Sequence, residues 1–63
     1  MPLVQVTMLT GRTADQKRKI AARITDAMEQ EAGARREAIV VVFHEVSKES
    51  YASGGVLMAD KGK

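Results

Sequence analysis

The sequence predicts an α/β fold, a single β-α-β unit with parallel strands and a short C-terminal hairpin. Three observations carry this: an alternating strand at Leu3–Leu9, a capped amphipathic helix between Thr13 and Gly33, and a β-branched apolar run at Ala38–Phe43. In the first, Val4, Val6 and Met8 fall on one face and Leu3, Gln5, Thr7 and Leu9 on the other, the period of a strand. Thr10-Gly11-Arg12 breaks the pattern with turn chemistry. Thr13-Ala14-Asp15-Gln16 then fits a capping box, a hydroxyl at the N-cap answered by an amide side chain three residues on. The helix places Ile20, Ala21, Ile24, Ala27, Met28 and Glu31 or Ala32 on its apolar side, with Lys17, Lys19, Arg23, Asp26, Glu29 and Gln30 mostly opposite. Gly33 ends it.

After a basic loop at Arg35-Arg36, the run from Ala38 to Phe43 is apolar without alternation, so it predicts a strand covered on both faces. Strand, helix and strand at this spacing make a right-handed crossover, in which the strands are parallel and the helix lies across one face. One helix covers one side of a sheet. The other apolar face requires another subunit. Ser47–Ser50 is polar and turn-like, and Gly54-Gly55 signals a hairpin within Tyr51–Met58 that lies in reach of a neighbouring subunit. Asp60–Lys63 reads as a frayed end.

A chain of 63 residues makes one domain, spanning 1–63, and a domain this small hides only about 60% of its unfolded surface. Such domains compensate with disulfides, metal or association. With no cysteine and one histidine, disulfides, thiolate zinc and metal clusters are excluded, which leaves association. Met1–Leu9 lacks the basic region and long apolar run of a signal peptide, and nothing approaches the ~20 apolar residues of a membrane span, so a soluble cytoplasmic protein is expected. Ten Lys and Arg are scattered among eight acids for a net charge of +2, and Phe43 and Tyr51 are the only aromatics. This is neither a phosphate-binding stripe nor a stacking platform, and nucleic acid is not an expected partner.

The only proline stands directly after the initiator, as Met1-Pro2. Inside a chain, proline has no proton to give or take. Once an aminopeptidase removes Met1, Pro2 becomes a secondary amine, both a base and a nucleophile. On these two residues alone, Pro2 is either such a group or an ordinary start that stiffens the entry to a strand.

Several features then combine: Pro2 after a removable Met1, a short alternating strand, Gly11-Arg12 before a capped helix, a second strand ending Glu45-Val46, and Tyr51 three residues before Gly54-Gly55. Together, over essentially the whole chain, they resemble the 4-oxalocrotonate tautomerase family. The resemblance implies the tautomerase (MIF-like) fold, a β-α-β protomer that dimerises into a four-stranded sheet, with three dimers forming a homohexamer. It also implies a cofactor-independent tautomerase or isomerase that interconverts enol and keto forms of small unsaturated 2-oxo acids. In that family the terminal proline is the general base, a role that carries over to Pro2.

A base must be neutral to accept a proton, yet a proline amine in water is more basic than an ordinary α-amino group of pKa ~8. An apolar pocket and a nearby cation both lower that value. Tyr51 resembles the family's aromatic pocket residue; simple packing at an interface is the other reading. Arg12 resembles the arginine that binds substrate carboxylate and steadies charge on an enolate oxygen, with a solvated loop cation as its alternative. Leu9 corresponds to the position whose backbone N–H helps hold substrate oxygen.

The match fails at Val40, where well-known members carry a second arginine that polarises the substrate's keto group. Arg35 and Arg36 are either solvated or reach a neighbouring subunit's pocket. The expectation is a protein with Pro2 and Arg12 only, acting weakly on small enols such as 2-hydroxymuconate or phenylenolpyruvate. His44 is a lone histidine without a metal-ligand companion, and a surface or interface position is expected for it. Two alternatives remain at this point: a proline-dependent hydratase or dehalogenase of unsaturated acids, and a noncatalytic oligomeric interaction module.

Overall fold

Strand β1, Leu3–Leu9, forms as expected in the computed structural model, which describes residues 1–62. Val4, Val6 and Met8 are half-buried while Leu3, Gln5 and Thr7 are exposed, so alternation in hydropathy becomes alternation in burial. The capping box is complete: the Thr13 hydroxyl accepts from the Gln16 backbone N–H at 3.1 Å, and Gln16 Oε1 accepts from the Thr13 N–H at 2.9 Å. Helix α1 follows over Ala14–Ala32, and Gly33, at φ 69°, closes it by donating its N–H to the Met28 carbonyl. That left-handed conformation strains any residue with a Cβ, hence the glycine.

Lys17, Ile20, Ala21, Ile24, Thr25 and Met28 form the half-buried stripe of α1. Ala27, Glu31 and Ala32, assigned to that side by spacing, are exposed. The stripe lies further toward Thr25 than apolarity alone suggests, because its polar members find places at its edge. Lys17 does so through an ion pair with Glu45 that bridges helix and sheet.

Strand β2 spans Val40–Val46, starting two residues later than Ala38 and ending at Glu45-Val46 as expected. Arg36–Ala38 is instead a 3₁₀ turn, with the Ala38 N–H bonded to the Arg35 carbonyl and the Ile39 N–H to that of Arg36. The strand persists past Phe43 because pairing with β1 continues through His44, Glu45 and Val46. The two strands are parallel, in register from Leu3 opposite Val40 to Leu9 opposite Val46. Hydrogen bonds from the Val40 N–H to the Pro2 carbonyl (3.0 Å) and from the Thr10 N–H to the Val46 carbonyl (2.9 Å) close the ladder at its two ends.

In-register residues share a face. The Lys17–Glu45 pair therefore fixes Met8, Val6 and Val4, with Glu45, Phe43 and Val41, on the side of α1. Leu3, Gln5, Thr7, Leu9, Val40, Val42, His44 and Val46 form the opposite face, with no helix over it.

Strands β3 (Ala52–Ser53) and β4 (Val56–Leu57) make the expected hairpin. Gly54 and Gly55 turn it at φ 61° and 80°, the pair of positive angles that a two-residue hairpin favours. The Met58 N–H donates to the Tyr51 carbonyl at 2.7 Å and closes its base. Met58–Asp60 then forms a 3₁₀ turn, so Asp60, expected to be frayed, is structured. Lys63, the last residue of that expected frayed end, lies outside the described residues.

Among the described residues no side chain is fully buried. The radius of gyration is 15.1 Å, against about 11 Å for a compact chain of this length. The accessible surface, 4772 Å², exceeds by about 800 Å² what a compact protein of this mass exposes. The protomer is drawn out over 46 × 24 × 14 Å, and α1 covers one of its two sheet faces.

Thr13→Ala, which removes one half of the capping box and orphans the other, is expected to lower the unfolding free energy by about 1 kcal/mol, measured by urea denaturation at fixed protein concentration.

Candidate functional site

Pro2 sits half-buried at the head of β1, its carbonyl held by the Val40 N–H. Its surroundings within the sheet are Leu3, Val4, Val40 and Val41, and the first ionisable side chain along β2 is His44. Met1, joined to the Pro2 nitrogen, is 89% exposed, so the bond whose cleavage frees that nitrogen is open to solvent.

Leu9 and Arg12 lie at the other end of the strand. The backbone turns sharply after Thr10 through Gly11 at φ 123°, and Arg12 leads into the helix cap at Thr13. The Arg12 guanidinium makes one long contact, donating to the Leu9 carbonyl at 3.4 Å, and pairs with no carboxylate among the described residues. Such a contact is weak, leaving most of the fork's donors for another acceptor.

Tyr51 follows the 3₁₀ turn Lys48–Ser50 at the base of the hairpin, where it is 44% exposed beside exposed Val56 and Leu57. Within one chain, then, Arg12 meets Leu9 but not Pro2. The seven residues of β1, about 23 Å of extended chain, separate them.

The basic loop is already engaged. Arg35 pairs with Glu37 at 3.0 Å, and Arg36 donates to Asp26 at 2.7 Å and Glu29 at 3.2 Å. The Asp26 hydrogen bond and charge, with Glu29 adding to them, hold the Arg36 guanidinium protonated even more firmly than an ordinary arginine. These contacts fasten the end of α1 to the entry of β2. His44 is exposed on the bare sheet face opposite Thr7, a surface position as expected.

The spacing of polar residues on α1 concealed one feature. Arg12, Gln16, Lys19, Ile20 and Arg23 line a groove of about 330 Å³ along the flank of the helix. Lys19 and Arg23 were assigned to a solvated face. The step from 16 to 19 and 20 and then to 23, one turn at a time, is the signal that places them beside Arg12.

The family model described as "Tautomerase enzyme" matches residues 2–61, from Pro2 nearly to the end of the chain. The chain belongs to the tautomerase family. A probable tautomerase of Bacillus cereus is 48% identical over 61 residues, covering 97% of this chain and all of the relative. The 2-hydroxymuconate tautomerase of Bacillus subtilis is 43% identical over 60 residues, covering 95% and 97% of the two chains. Among solved structures, a 4-oxalocrotonate tautomerase homologue superposes with a TM-score of 0.90 at 35% identity over the whole of both chains. The chain is accordingly an enzyme of the isomerase type with the 4-oxalocrotonate tautomerase fold. Among the described residues, no helix of this tautomerase is long and apolar enough to cross a membrane.

Because Arg36 is held by two acids, Arg36→Gln is expected to leave kcat/KM of the tautomerase within about twofold of the parent, measured by enol-to-keto conversion followed in the ultraviolet.

Proposed function

We propose that the chain, acting as one domain over 1–63, is a cofactor-independent keto–enol tautomerase of small unsaturated 2-oxo acids such as 2-hydroxymuconate or phenylenolpyruvate. Pro2, freed by removal of Met1, is its general base, and Arg12 binds the substrate carboxylate. The observation that carries this reading is the family match from residue 2 onward, which makes Pro2 the first matched residue. The name of the Bacillus subtilis relative supports the substrate class.

The chemistry follows from a neutral secondary amine in apolar surroundings. Pro2 nitrogen takes the proton of the substrate's enol hydroxyl, the oxygen's electron pair closes a carbonyl, and the carbon–carbon double bond shifts. The protonated amine then returns the same proton to a carbon of the conjugated system. Proton and electron pairs balance, so no cofactor is needed. Apolar neighbours at the head of the sheet, once the assembly covers them, disfavour the charged amine, and the Arg12 guanidinium adds to that effect. The same guanidinium stabilises charge on the enolate oxygen.

Pro2 and Arg12 must come from different copies, because β1 holds them apart. Antiparallel pairing of β1 with β1 of a second copy brings the start of one strand beside the end of the other, so Pro2 meets Leu9 and Arg12 of its neighbour. The Leu9 backbone N–H then faces substrate oxygen, and Tyr51 from a further copy closes the pocket. The assembly is a four-stranded dimer and, with the bare sheet faces turned inward, a homohexamer.

Intact-mass measurement is expected to find Met1 removed. Pro2→Ala should lower kcat by about 10²–10⁴, the usual contribution of a general base. Arg12→Ala should lower kcat/KM by about 10- to 100-fold, chiefly through KM, as a charge-assisted hydrogen bond to carboxylate is lost. Full turnover by Pro2→Ala, or by protein that keeps Met1, would overturn the general-base assignment.

A further inference from the structure

Arg12 is one end of a longer feature. From it, Gln16, Lys19, Ile20 and Arg23 continue along α1 as the wall of one groove, whose 330 Å³ is at the small end of ligand sites. Its charges are unequally occupied. Gln16 Oε1 is held in the capping box, and the Lys19 ammonium lies 3.4 Å from Asp15. Arg12 and Arg23 meet no carboxylate among the described residues, and no acid lines the groove.

Two guanidinium groups that meet no carboxylate among the described residues therefore line it together with Ile20. Arg23 is nine residues beyond Ala14, about 14 Å along the helix axis, and side chains that bend into a shared groove shorten that span to the length of a small extended molecule. Each guanidinium matches a carboxylate in a two-bond fork. Elsewhere cations are less suited: Arg35 and Arg36 are held by acids, and Val40 offers no charge.

We propose that Arg23 is a second anion-binding residue of the Arg12 site, and that the groove takes a small dicarboxylate, with one carboxylate on each arginine and the hydrocarbon over Ile20. The inference rests on the proposed role of Arg12 in carboxylate binding and adds a specificity-determining residue to that site. It supplies a second cation in a chain where Val40 stands in place of the family's second arginine.

Calorimetric titration of the full chain with adipate and with hexanoate separates a second carboxylate from chain length. The parent should bind adipate more tightly, and Arg23→Gln, an exposed change that suits a helix, should weaken adipate binding about tenfold. Arg23→Lys should retain part of the preference, and Arg35→Gln all of it. In turnover assays, the ratio of kcat/KM for 2-hydroxymuconate to that for phenylenolpyruvate should fall about tenfold in Arg23→Gln. A parent without preference for adipate, or a preference that Arg23→Gln does not move, overturns the inference. Arg23-dependent binding with no turnover of either enol refutes the tautomerase site but supports the groove; turnover of both with an unmoved ratio does the reverse.

Discussion

Two parallel strands present two apolar faces, and a chain with a single long helix has cover for one of them. α1 lies over Val4, Val6, Met8, Val41 and Phe43, tied there by the Lys17–Glu45 pair. Leu3, Leu9, Val40, Val42 and Val46 lie on the face that α1 does not cover. Burying such a surface is worth about 25 cal/mol per Å², so the excess of about 800 Å² over a compact chain corresponds to roughly 20 kcal/mol of gross apolar burial at most. A protomer that buries no side chain fully among its described residues has strong reason to associate, and the proposed assembly meets that requirement.

The same strand that creates the bare face also sets the distance between the chemical groups. A seven-residue β1 is long enough to pair stably, and for that reason it keeps Pro2 far from Arg12. Fold and function are coupled through this length: in the proposed assembly the pairing that covers apolar surface also brings base and cation together. The groove along α1 belongs to the cation's end of that arrangement, which is why its charge bears on the acids that the site would accept.

Much of this was legible in the amino-acid order. Alternation from Leu3 to Leu9, the Thr13–Gln16 box, Gly33 and Gly54-Gly55 are local signals with local causes, and each produced the expected element. Errors arose where tertiary partners decide. Ala38 is apolar yet belongs to a 3₁₀ turn fixed by the Arg35 and Arg36 carbonyls. Lys17 looked like a solvated residue until Glu45 supplied its counter-charge. The proposed site residues Pro2, Leu9, Arg12 and Tyr51 were read from family resemblance. The groove beside Arg12 was not legible, because a cation such as Arg23 on a helix flank looks the same whether or not a groove runs beneath it.

The hydrogen bond from the Val40 N–H to the Pro2 carbonyl has a mechanical consequence. Chain ends ordinarily fray, and a reagent mounted on a fraying end wanders by several ångströms. Here the first residue after Met1 is clamped by its own carbonyl to the neighbouring strand, while its ring leaves φ almost no freedom. In its proposed role as base, Pro2 is thus an anchored post at the rim of the sheet, whose aim is set before any small molecule arrives.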